Sequence, residues 1–208
     1  MIRLLPIVEG QGEVEAFPTL LRNILYSMER WDVQIESPLN TKGKPNLTRE
    51  NGLEKFLKLG FRSTVSGILV LLDADGDCAK ELAYNLAERG RSLAPPVPIA
   101  ITCATRCYEA WFLASLSTIA GVSLKGTPGL PTDCQFDDSP EERLNPKKWI
   151  TEQLPESLIY KETLHQAALT ELIDLEEASV RSRSFRRLIH AVEQLLACIE
   201  RGDVIVTP

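Results

Sequence analysis

Histidine is almost absent from this 208-residue chain, with His165 and His190 the two examples. Cysteine is sparse and unpatterned: Cys78, Cys103, Cys107, Cys134 and Cys198 are odd in number and widely scattered. That distribution fits reduced thiols in a cytosolic protein better than a disulfide framework. Cys103 and Cys107 could share one helical face, but a zinc site would need two more ligands, and both histidines lie far away in sequence. No segment reaches the ~18 apolar residues of a membrane span. The opening run Met1–Val8 is short, ends at Glu9 and has no small-residue cleavage site behind it, unlike a secretory signal. A cytoplasmic protein without a membrane segment is expected. Basic residues are also in deficit, 23 against 29 acidic ones for a net charge of −6, which excludes a surface that is basic all over.

Three loop motifs are missing as well. No Gly-Lys-Ser/Thr follows Gly10-Gln11-Gly12, so that turn is not a phosphate loop. Glu15 stands where the third glycine of a dinucleotide fingerprint belongs. A calcium loop starting at Asp73 would need Gly and Glu where Cys78 and Tyr84 stand.

What is present is an ordinary globular composition, 44% hydrophobic and 25% charged. Residues 3–8 form an apolar strand candidate, Gly10-Gln11-Gly12 a turn, and Val14 to Met28 an apolar-periodic helix. Val33-Gln34-Ile35 alternates like a short strand, Asn40–Pro45 is loop-like, and a helix carries Leu53, Phe56, Leu57 and Leu59. Ile68–Leu72 is apolar throughout, as a strand of a parallel sheet covered on both faces would be. A helix from Cys78 to Arg89 and a fourth strand from Val97 to Thr102 follow. This alternation predicts an α/β core with right-handed crossovers over residues 1–115. Residues 116–208 read as a mainly helical elaboration packed on it. In detail, 107–120 reads as helix, 122–146 as irregular, and the stretch from Pro146 as mainly helical. Phe185, Leu188, Ile189, Val192, Leu195, Leu196 and Ile199 mark a final amphipathic helix stopped at Gly202, with Val204–Val206 as an edge strand. No internal repeat is visible.

Ligands of α/β sheets gather at the carboxyl ends of the strands. Two acidic motifs stand there: Glu9-Gly10-Gln11-Gly12-Glu13 after the first strand and Asp73-Ala74-Asp75-Gly76-Asp77 after the most apolar one. If those strands are neighbours, four or five carboxylates meet in one partly dry cleft, where like charges repel strongly. Hard cations neutralise such a cluster, and all-oxygen ligation is what Mg²⁺ and Mn²⁺ prefer. Taken singly, either motif is equally well a turn or a helix cap.

A Glu-Gly pair after the first strand and an Asp-x-Asp after a later one resemble the two signatures of the Toprim fold. That Rossmann-like parallel-sheet domain is shared by topoisomerases, bacterial primases, small nucleases and the nuclease halves of the overcoming-lysogenisation-defect family. Cys107-Tyr108-Glu109-Ala110-Trp111-Phe112-Leu113, Pro146-Lys147-Lys148-Trp149, Tyr160-Lys161 and Ser182-Arg183-Ser184-Phe185-Arg186-Arg187-Leu188 resemble a bacterial Toprim-like family of unknown function over nearly the whole chain. The resemblance implies that Glu9 is a general acid/base or metal ligand and that Asp73 and Asp75 are metal ligands. Glu13 takes the second acidic position of nuclease-type members, and Glu109 is a further ligand or a helix-surface glutamate beside Trp111.

The expected activity is Mg²⁺- or Mn²⁺-dependent hydrolysis of phosphodiesters in DNA or RNA, the metal acidifying a water and clamping the phosphate. Lys161 is the basic group expected near the developing charge. His165, on the same helical face, packs or caps more readily than it catalyses. Lys42 and Lys44 in a flexible loop, and Arg183, Arg186 and Arg187 at the start of the last helix, are candidates for holding the nucleic-acid backbone. The arginines have no nearby acid in sequence, so an anionic partner would relieve them. A separately encoded ATPase partner in phage defence follows from the resemblance alone. The competing expectation is a non-catalytic Toprim-fold scaffold.

Overall fold

The computed structural model describes residues 1–124 and 128–208; residues 125–127 of the irregular 122–146 stretch lie outside the described residues. The core half runs β1 (Ile2–Val8), α1 (Gln11–Ser27), β2 (Val33–Ile35), β3 (Leu39–Asn40), α2 (Pro45–Thr48), α3 (Gly52–Gly60), β4 (Gly67–Asp73), α4 (Ala79–Arg91) and β5 (Ile99–Ala104). Among the described residues the sheet has six strands, in the order β2-β1-β4-β5 and then β6 (Val206–Thr207), with β3 also beside β1. Every strand pair is parallel. The expected α/β parallel-sheet core is therefore present.

The apolar run of β4 explains its place. All seven residues are buried, and they alternate between two hydrophobic layers, Leu69 and Leu71 facing one and Ile68, Val70 and Leu72 the other. A strand apolar on both faces is stable only between two layers of helices, and α3 and α4 supply the second layer through Leu53, Leu57, Ala83 and Leu86. The first layer is larger. It joins Phe17, Leu20 and Ile24 of α1 to Phe185, Leu188, Val192 and Leu195 of α10 (Arg183–Arg201).

Residues 33–40 lie along one edge of β1 as two short strands rather than a strand and a loop. Val33–Ile35 pairs with the start of β1 and Leu39–Asn40 with its end. Pro38 stands between them, and a residue without a backbone N–H does not continue a ladder. Residues 107–120, expected as one helix, are a turn followed by α5 (Ala110–Ala114) and α6 (Leu116–Ile119). The break falls at Ser115, whose hydroxyl accepts a 2.6 Å bond from the amide of Asp174. The remaining elements are α7 (Pro146–Gln153), a π-helical turn Glu162–Gln166, α8 (Ala167–Thr170) and α9 (Leu175–Arg181).

The last helix starts on Ser182, whose hydroxyl accepts from Phe185 N at 3.1 Å, and stops at Gly202 with φ +73, a left-handed value that glycine adopts without a Cβ clash. An acid does stand at its start. Glu141 accepts from the Ser184 amide at 2.6 Å and from the Ser182 hydroxyl at 2.8 Å. An acid from a loop 43 residues away in the chain thus caps this terminus, where negative charge suits the helix dipole.

Candidate metal centre

The site is made by three strand ends. β1 and β4 are direct neighbours, with Ile7 opposite Val70, and β4 lies against β5 up to Asp73 opposite Ala104. Chain direction is common to all three, so Glu9, Asp73 and the turn after β5 meet at one edge of the sheet. The Glu9 carboxylate accepts a 3.1 Å hydrogen bond from the Asp73 amide. Asp73 Oδ1 in turn accepts from the Tyr108 amide at 2.9 Å. Two carboxylates therefore lace three strand ends together.

Glu13 enters from the first turn of α1, where its carboxylate accepts from the Gly10 amide at 2.7 Å. The helix start both positions that charge and favours it. Gly12, beside it, is required by packing, because a Cβ there would overlap the side-chain amide of Gln166 in the π-helical turn.

Glu109 lies deepest, with no exposed surface. Its Oε1 accepts from the Tyr160 hydroxyl at 2.9 Å and from Gln166 Nε2 at 3.3 Å. Its Oε2 has no hydrogen-bond partner, and Lys147 Nζ stands 3.8 Å away. Lys147 also pairs with Glu162. A carboxylate oxygen this deep and unbonded is costly unless something else occupies its lone pairs.

The electrostatics follow. Burial, then repulsion from Glu109, Glu13 and Glu9, holds the Asp73 carboxyl well above its ordinary range, with Lys147 opposing. Burial likewise raises Glu109 despite Lys147 and the Tyr160 hydroxyl. Glu9 is raised by burial and by the charges of Asp75 and Glu13, although the amides of Asp73 and Lys44 favour its charged form. Burial tends to discharge Lys147, but Glu109, Glu162 and Asp73 reverse this and hold it protonated.

A different arrangement governs the outer part of the second acidic turn. Asp75 and Asp77 are exposed, and the ammonium of Lys44 sits between them at 3.3 and 2.9 Å while donating to the Ala74 carbonyl at 2.7 Å. Burial alone would weaken the charge of Lys44; its bonds to Asp77 and Asp75 more than restore it. Asp75 has φ 52 and Arg106 φ 68. The two turns interlock, Asp75 N donating to Arg106 O at 2.7 Å and Arg106 Nη1 to Asp75 O at 3.2 Å. Two non-glycine residues in left-handed backbone at a strand end are a local strain of the kind found at functional sites.

The other basic residues singled out in the sequence lie elsewhere or face outward. Lys161 is exposed, and its amide donates to His165 Nδ1 at 2.9 Å, so His165 caps the π-helical turn with its ring against Tyr160. Lys42 and Arg183 are exposed. Arg186 is held by the carbonyls of Ser179 and Val180 at the end of α9. Arg187 bonds to Gln194 and to the carbonyl of Pro208.

Four residues beside the carboxylates carried no marked role in the sequence. Lys147 was visible only as part of the Pro146-Lys147-Lys148-Trp149 motif. Tyr160 and Gln166 complete the Glu109 shell. Cys107 joins Asp73 and Glu109 in a cluster whose donor atoms all lie within 4.8 Å of one another. A cation fits these residues: they offer hard oxygen donors, one of them orphaned, in a pocket whose carboxyls burial pushes toward protonation.

Fold and site together define a parallel-sheet α/β domain with a buried acidic cluster across its strand ends. Residues 8–193 match DUF4276, a domain of unknown function, and the chain belongs to that family. Among solved structures, the C-terminal region of the Burkholderia pseudomallei OLD protein aligns with 96% of this chain and 99% of its own length, at 14% identity and a TM-score of 0.46. No curated protein matches the chain. No helix among the described residues is long and apolar enough to cross a membrane.

Proposed function

We propose that this protein hydrolyses phosphodiester bonds in nucleic acid with Mg²⁺ or Mn²⁺, as a nuclease of the Toprim type. The observation that carries the proposal is the Glu9 carboxylate bonded at 3.1 Å to the Asp73 amide, which unites the two acidic motifs beside the orphaned Glu109 oxygen. Glu9, Asp73 and Glu109 would hold the cation, with Glu13 next to them and Asp75 one step further out, shared with Lys44. When bound, such a cation supplies Lewis-acid stabilisation of phosphate charge and an acidified water.

The chain's own residues divide the remaining work. Glu9 is half-buried and burial raises its proton affinity, which suits a carboxylate that takes a proton from an attacking water. The Asp73 amide and the start of α1 keep Glu9 and Glu13 from moving apart. Lys147 balances the buried charge from within, while exposed Lys161 is free to meet a phosphate oxygen. Exposed Lys42 and Arg183 would hold the backbone, with Arg186, Arg187 and Lys44 contributing where their present partners release them. The sequence resemblance further proposes a separately encoded ATPase as partner, in phage defence. Residues 116–208 would be a mainly helical elaboration packed on the core, and they carry Lys147 and Lys161.

The test is incubation of the purified protein with plasmid, single-stranded DNA and RNA in Mg²⁺ or Mn²⁺. Cleavage that Asp73→Asn and Glu9→Gln abolish supports the enzyme. A second interpretation, a non-catalytic scaffold, is favoured by Lys44, which already neutralises the outer acids. Mn²⁺ binding without cleavage of any substrate, alone or with an ATPase, would establish that one instead.

A further inference from the structure

We infer that Asp73, Cys107 and Glu109 form a second-tier site for a thiophilic divalent cation of the Zn²⁺ class, with Cys107 Sγ as its soft ligand. The inference rests on the metal-binding proposal above in sharing Asp73 and Glu109 with it, and differs in its third ligand. A hard ion would be served by the carboxylates alone. The thiol of Cys107, however, stands inside their cluster, and the three donor atoms lie within 4.8 Å of one another.

Geometry favours one ion among these three groups. With Zn–S near 2.3 Å and Zn–O near 2.0–2.2 Å, donor atoms around a tetrahedral ion stand about 3.5 Å apart, so contraction by roughly 1 Å suffices. Among the described residues, Glu109 Oε2 is fully buried and meets only the Lys147 ammonium at 3.8 Å and the Cys107 thiol, which interacts with the Glu109 carboxylate directly, so the two ligand groups already face each other. Asp73 is held toward the cluster by the Tyr108 amide, and Glu109 by Tyr160 and Gln166. These are the outer-shell bonds that orient ligands in metal sites. Cys103, by contrast, belongs to β5 and is not among the clustered donors.

Binding exchanges the S–H bond for a sulfur–metal bond, and the thiol proton passes to the solvent. Because Asp73 and Glu109 serve both ions, a thiophilic cation here would compete with Mg²⁺ or Mn²⁺ and act as an inhibitor rather than as a cofactor.

The experiment titrates metal-free protein with Cd²⁺ and follows sulfur-to-cadmium charge-transfer absorption in the ultraviolet. One equivalent is expected in the wild type. Cys107→Ser should remove the band and weaken Cd²⁺ binding by on the order of a hundredfold, whereas Cys103→Ser and Cys78→Ser should retain both. Should Cys107→Ser fail to fold, X-ray absorption on the wild-type Zn²⁺ protein decides, with one sulfur expected among oxygen ligands. No sulfur in the zinc shell, or a cadmium band that survives Cys107→Ser, overturns the inference. Mn²⁺ binding by the wild type separates the two proposals. Mn²⁺ bound with no cadmium band leaves the nuclease proposal standing and this one refuted, and a cadmium band without Mn²⁺ binding does the reverse.

Discussion

Asp73 and Asp75 are two positions apart on one turn, yet they meet opposite surroundings. Asp73 is 7% exposed, bonded to backbone and crowded by other acids. Asp75 is exposed, with its charge matched by Lys44, which it shares with Asp77. The end of the strand produces this. The last residue of β4 still points into the protein, and the turn beyond it points out. An acid that water and a lysine already satisfy has little need of a metal. An acid that is buried among acids has no comfortable state without one, except a protonated state. Chemistry is therefore expected to reside in the inner group, and the outer group to hold the turn.

The strongest way to break this comparison is to remove one inner charge at constant shape. Asp73→Asn keeps an oxygen for the Tyr108 amide. It should lower Mn²⁺ affinity by on the order of a hundredfold, measured by calorimetry, and abolish any metal-dependent cleavage. Unchanged affinity would place the cation elsewhere.

Lys147 tests the inner group from the cationic side. Lys147→Met should cost about 2 kcal/mol by urea denaturation, because Glu109 is left buried without a counter-charge. The figure stands below that of a fully buried pair because the Lys147 side chain is 40% exposed and the separation is 3.8 Å. The loss should shrink in Glu109→Gln, where no buried charge remains to be balanced. Equal losses in both backgrounds would mean that Lys147 acts through packing alone.

The pH dependence sharpens the comparison further. Asp73 and Glu109 have folded pKa values above their unfolded ones. Between those values the folded state binds more protons than the unfolded state, so stability is highest below the ordinary carboxylate range. It is lost as pH rises through the raised values. Metal-free protein should thus melt at a lower temperature at neutral pH than near pH ~5, by about 2–4 °C for each kcal/mol involved. Saturating Mn²⁺, or Asp73→Asn, should flatten that slope. A melting temperature that instead climbs with pH in the metal-free protein would mean that the inner acids are not the dominant titrating groups.

Much of the inner group was legible in the sequence. Glu9, Glu13 and Asp73 stand out as a pair of acidic motifs, each behind an apolar run, where one alone would pass for a turn or a cap, and Ile68–Leu72 reads as a central strand. The neighbouring of β1 and β4 was not legible, since strand order is a tertiary outcome that several chain paths satisfy. Lys147 escaped for a related reason. A lysine in a polar helix carries no periodicity, and its partner Glu109 lies in a different element. The aspartate partners of Lys44 were not legible, because a lysine in a Gly-containing loop has the same local pattern whether it awaits a phosphate or closes on two aspartates. The acid that caps the Arg-rich start of α10 was not legible either, because Glu141 comes from a loop far away in the chain. In each case the local pattern supplied the charge and the fold supplied the partner.

The outer group should give the smallest effects. Asp77→Asn removes one of two acids from Lys44, but Asp75 and the Ala74 carbonyl keep the ammonium in place. Both acids are more than 60% exposed, at 62% and 63%, so water screens what remains and the cost should be at most about 0.5 kcal/mol. Asp75→Asn should behave similarly, with slightly more effect, because the charge of Asp75 also acts on Glu9. Mn²⁺ affinity should change by less than about threefold in either variant, since each acid is already paired with Lys44. If Asp75→Asn instead weakened Mn²⁺ as severely as Asp73→Asn, Lys44 would be a placeholder that the cation displaces. The outer turn would then belong to the ligand set, and the division between the two groups would vanish once metal is bound.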